Sequence, residues 1–72
     1  MADLELLSVV ALIEEMPAHG LLRGQVGTIV ERLAPGIYEV EFSDDAGNTY
    51  ALIPVPVARL MQLHHEPAHC AA

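Results

Sequence analysis

"IYEVEFSDDAGNTYALIPV", residues 37–55, decides how the rest of the chain is read. Its first six residues alternate, with Tyr38, Val40 and Phe42 on one side and Glu39 and Glu41 on the other. That period of two belongs to a strand with one buried and one wet face. "SDDAGN" (43–48) follows with turn chemistry, and Gly47 is placed for a left-handed position. "TYALIPV" (49–55) returns as the partner strand. Pro54 and Pro56 lack backbone donors and are expected to end that ladder.

Moving toward the N-terminus, "APG" (34–36) predicts a type II turn, with Pro35 at its second position and Gly36 supplying positive φ at its third. Before it, "QVGTIVERL" (25–33) reads as a strand whose apolar residues, Val26, Ile29 and Val30, do not alternate cleanly. Gly27 between them predicts a bulge that shifts the pleat by one residue, and Gly24 a further bend. "EEMPAHGLLRG" (14–24) is a loop that folds Leu21 and Leu22 back onto the core. "SVVALI" (8–13) is short and β-branched, and reads as a strand. "DLELLSVVALIEE" also fits helical spacing, with Asp3 as N-cap, so helix is the competing reading there.

On the C-terminal side, "VARL" (57–60) predicts about one turn of 3₁₀ helix and "MQL" (61–63) a last strand. The fold expected is all-β: a five-stranded SH3-like barrel with a short 3₁₀ turn before the last strand. Residues 1–63 form this domain, and 64–72 a polar, His-rich tail.

At 72 residues the chain buries a small core with little stability to spare. Cys70 is the single cysteine, so no internal disulfide supports it. Apolar residues make up 53%, more than so small an interior can hide, which predicts self-association. The net charge is −7, from ten acidic residues, three arginines and no lysine. Nucleic-acid affinity comes largely from cations neutralising phosphate, and anionic membranes favour cations too, so neither partner is expected. A basic protein partner is compatible with this charge. "MADLELL" is acidic where a secretory leader is basic, and the apolar run 6–13 is too short to span a bilayer, so the expected compartment is the cytoplasm.

Two stretches together, "LLSVVALIEEMPAHGLLRGQVGTIVE" and "YEVEFSDDAGNTYALIPV", closely resemble a family of short bacterial proteins known as a domain of unknown function (four-nine-two-six). The resemblance runs from about Leu6 to Leu63 and implies a small SH3-like β-barrel without assigned catalytic residues. Some members lie near toxin-like or mobile accessory genes, which implies an accessory, antitoxin- or immunity-like role. "RGQVGTIVE" is similar, more loosely, to KOW-type modules and to the SH3-like part of the nitrile hydratase small subunit. KOW modules that contact RNA carry lysines and arginines, and this chain, with three arginines and no lysine, departs from them in that respect. RNA or ribosome contact is therefore one alternative reading, and metal binding through the C-terminal His/Cys tail is the other.

Each candidate for chemistry has a plainer reading beside it. His64, His65, His69 and Cys70 are metal-ligand types, with Glu66 among them, and His65 and His69 are spaced to share a helix face. Pro67 interrupts such a helix, and a solvated tail is the plainer reading, so no metal or other cofactor is assigned. Glu14, Glu15 and His19 have acid–base character but no accompanying nucleophile or oxyanion donors. Asp44, Asp45 and Asn48 around Gly47 lack the calcium-loop ligand series and read as turn residues. Glu31, Glu39 and Glu41 form an acidic sheet face, across which Arg32 is placed to pair with Glu39 or Glu41. Tyr38, Phe42 and Tyr50 are too few, with no tryptophan, to line a proline-peptide groove. The expected function is a non-catalytic protein-interaction module. Its contact residues are sought on the terminal strands, at Leu6, Leu7, Val9, Val55, Val57, Leu60 and Met61.

Overall fold

The computed structural model describes residues 4–64 and Pro67. Within them the chain forms five strands: β1 (Val9–Leu12), β2 (Val26–Ala34), β3 (Ile37–Ser43), β4 (Thr49–Pro56) and β5 (Leu60–Gln62). Short 3₁₀ turns occupy Pro17–His19 and, immediately before β5, Val57–Arg59. The strands form one antiparallel sheet in the order β4-β3-β2-β1-β5. No ladder among the described residues joins β4 to β5, so the sheet is open and has two edges. Between the helix and strand readings of the N-terminal stretch, strand prevails at Val9–Leu12.

The alternation in β3 sets the inside of the molecule. Tyr38, Val40 and Phe42 are fully buried. Across the ladders they meet Val55, Ile53 and Ala51 of β4, and Ile29 and Gly27 of β2. Val10 and Leu12 of β1 and Leu60 of β5 complete the sheet's contribution to the core. Burial of each large apolar side chain contributes about 1.5–3 kcal/mol, which a core this small depends upon. The long loop adds Met16 and Leu21, which pair with each other around the Pro17–His19 turn. Leu22 does not follow Leu21 inward; it is exposed, and its N–H donates to Gln25 Oε1. The Gln25 amide in turn donates to Tyr50 Oη at 2.9 Å, tying the loop to β4.

Gly36 turns β2 into β3 with φ +76°, as the "APG" reading requires. Three local expectations are corrected. Gly27 is not a bulge, since it pairs regularly with Val10 and Phe42. The register of β2 against β3 shifts instead between Ile29 and Glu31 and again between Arg32 and Ala34, leaving Val30 and Leu33 as the extra residues. Gly24 bends no strand, because it lies in the turn before β2, donating its N–H to the Leu12 carbonyl at 2.7 Å. Pro54 and Pro56 do not end the ladder; they sit within β4, opposite Glu39 and Ile37. They are tolerated because β4 is an edge strand and their nitrogens face away from β3.

Candidate functional site

With the inner face given by Tyr38, Val40 and Phe42, the ladders assign the outer face row by row. One row runs from Met61 through Ala11 to Val26. The next runs from Val9 through Thr28 and Glu41 to Leu52. A third holds Glu31, Glu39 and Pro54. The outer face therefore changes character across the sheet, from apolar at β5 and β1 to carboxylate-bearing at β2 and β3. Met61, Val26 and Leu52 on it are each about half exposed, at 51%, 47% and 53%.

The carboxylates have distinct surroundings. Glu41 accepts a hydrogen bond from Thr49 Oγ1 at 2.9 Å. Glu31 stands directly opposite Glu39, a like-charge pairing that costs stability in a sheet. The register places Arg32 opposite Tyr38 rather than opposite either predicted glutamate. Asp44 accepts the backbone N–H groups of Ala46 and Asn48, each at 2.9 Å, and closes the β3–β4 hairpin. The Asn48 bond is the largest cause holding its carboxyl below the usual aspartate range, against an opposing desolvation. This is a turn cap and not a cation loop.

The residues sought on the terminal strands separate into two groups. Leu6 and Leu7 lie on an exposed turn, in which Leu7 takes φ +67°, an uncommon conformation for a leucine. Met61 is exposed, and Val9 is partly exposed on the outer face. Val55 and Leu60, however, belong to the core, and Val57 packs against it. Val55 and Leu60 are removed from the contact surface because their positions in the ladders match inward-facing Tyr38 and Leu12. Glu14, Glu15 and His19 are solvent-facing loop residues. Among the described residues no three His, Cys, Asp or Glu side chains are grouped to hold a metal. Of the tail candidates, His64 is exposed, while His65, His69 and Cys70 lie outside the described residues. No helix among the described residues is long and apolar enough to cross a membrane.

Val26 and Leu52 were missed as surface residues by sequence reasoning. Leu52 was legible, since it alternates with inward Ala51 and Ile53. Val26 was obscured by the expected bulge at Gly27.

The family model described as Domain of unknown function (DUF4926) matches residues 6–62. The chain belongs to this family. The DUF4926 match takes in all five strands and stops at the end of β5. Comparison with the curated proteins and with the solved structures gives no match.

Proposed function

We propose that this DUF4926 chain is a non-catalytic protein-interaction module of SH3-like class, which associates with itself and presents its outer sheet face to a basic protein. The observation that carries this reading is the outer face itself. Half-exposed Met61, Val26 and Leu52 lie on the same surface as the opposed pair Glu31 and Glu39. Met61, Ala11 and Val26 make a continuous apolar row, while Leu52 stands apart beyond Glu41, and such a face of apolar side chains interleaved with one sign of charge suits a partner with apolar anchors and cations. A cation between Glu31 and Glu39 would relieve their repulsion. The strand order and the 3₁₀ turn before β5 support the SH3-like class, here with an open sheet. The narrower form of the reading is an antitoxin- or immunity-like accessory in the bacterial cytoplasm, paired with the product of a neighbouring gene.

The test is co-purification of the neighbouring gene product with the full chain. A basic protein should be retained at low salt, released as salt rises, and lost from a Glu31→Lys/Glu39→Lys variant. Retention unaffected by both salt and charge reversal would contradict the acidic docking face. Salt-sensitive binding of the chain to mixed RNA would favour the KOW-like alternative.

A further inference from the structure

We infer that the outer edge of β5 is the surface on which a second copy of this chain docks, in an antiparallel pairing centred on Gln62. This rests on the self-association proposed above and specifies where it occurs.

The ladder geometry shows which backbone groups are available. Leu63 N–H donates to the Val9 carbonyl at 2.9 Å, and Ile13 N–H to the Arg59 carbonyl at 2.9 Å. In an antiparallel ladder, bonding residues alternate with residues whose backbone groups point the other way. Arg59, Met61 and Leu63 therefore face β1, while Leu60 and Gln62 turn their groups outward. The Leu60 N–H is already used by the Val57 carbonyl. Leu60 C=O and both backbone groups of Gln62 remain, with no partner strand among the described residues.

The other edge is closed to such pairing. Pro54 cannot exchange bonds with Glu39, nor Pro56 with Ile37, so on β4 the residues with outward-facing groups are Leu52, Pro54 and Pro56. Two of these three have no N–H, and the strand's other end carries a register shift between Phe42 and Ser43. Proline and bulges are among the devices that protect an edge. β5, by contrast, carries no proline, charge or bulge over Leu60–Gln62.

Charge leaves this edge open to a second copy. A chain of net charge −7 repels its own copy over most of its surface, yet residues 46–65 contain no carboxylate. The β5 edge lies inside that stretch. With a two-fold axis at Gln62, the two Gln62 residues exchange both backbone bonds, and each His64 N–H reaches the partner's Leu60 carbonyl. Met61 then stands opposite the partner's Leu63 on the outer face, extending the apolar row of Val26, Ala11 and Met61 into the second copy. Because β4 is blocked, pairing stops at two copies.

The experiment uses the full chain with Cys70→Ser throughout. A Gln62→Cys variant should form a disulfide-linked dimer under mild oxidation, since a bonded antiparallel pair separates Cα atoms by about 5.5 Å, within disulfide reach. A Leu52→Cys variant on the β4 edge should not. Gln62→Pro, which removes only an outward N–H, should raise the dissociation constant on the order of tenfold or more while leaving the circular dichroism spectrum unchanged. If Gln62→Pro does not fold, the cross-linking comparison alone decides. An oligomeric chain in which Gln62→Cys fails to link, or links no better than Leu52→Cys, overturns the β5 edge while self-association stands. A chain monomeric at all concentrations overturns both.

Discussion

Gly27 lies against Val40 so closely that a β-carbon at position 27 would stand 2.6 Å from Val40 Cγ1. The same β-carbon would come within 2.9 Å of the Glu41 carbonyl oxygen, which is backbone and cannot swing away. Glycine is required here by the proximity of β3 and not by a left-handed conformation. Gly27→Ala is therefore expected to destabilise the chain by about 1–3 kcal/mol, read as a lower urea midpoint at unchanged m-value. Adding Val40→Ala removes one of the colliding groups. The double variant should lose less stability than the sum of the single losses, and additive losses would contradict the close-contact explanation.

The hairpin at Asp44 gives the chain an acid-sensitive element. Its carboxyl is held below the usual aspartate range, first by the Asn48 N–H. A depressed folded-state value means that the stabilisation is complete above the unfolded value, about 3.9, and is lost as pH falls through the folded value. Asp44→Ala should lower the melting temperature at pH 7. The gap between the variant and the parent should narrow as pH is brought below about 4. A gap of constant size from pH 7 to pH 2.5 would show that the charged carboxylate is not what closes the turn.

The central hairpin was legible because its information is local. Alternation at Tyr38, Val40 and Phe42 named the buried face, and the Pro35–Gly36 turn fixed its neighbour. The 3₁₀ turn at Val57–Arg59 followed from its proline-bounded shortness. The register shifts at Val30 and Leu33 were not legible, because a bulge at an ordinary residue leaves no mark in composition, whereas glycine at 27 suggested one where none exists. For the candidate surface the difficulty was parity. Val55 and Leu60 lie on edge strands, which suggested exposure, but the direction of each side chain depends on its pairing with Tyr38 and Leu12. Open or closed sheet is likewise a matter of long-range geometry, which short strands do not encode.

The prolines of β4 are expected to control assembly more than folding. Their nitrogens face away from β3, so Pro54→Thr/Pro56→Thr adds outward donors without disturbing the existing ladder. With both edges then able to pair, association should continue beyond a dimer, and static light scattering should rise steeply with concentration. If the substituted chain scatters like the parent across the same range, the prolines are not what protects this edge.

Sedimentation of the unmodified chain over a wide concentration range tests the central claim, that this small acidic sheet exists to be bound and first binds itself. The expected result is a reversible shift from monomer to dimer that strengthens with added salt, as screening relieves the repulsion between two copies of charge −7. A single monomeric species at every concentration and salt level would contradict it.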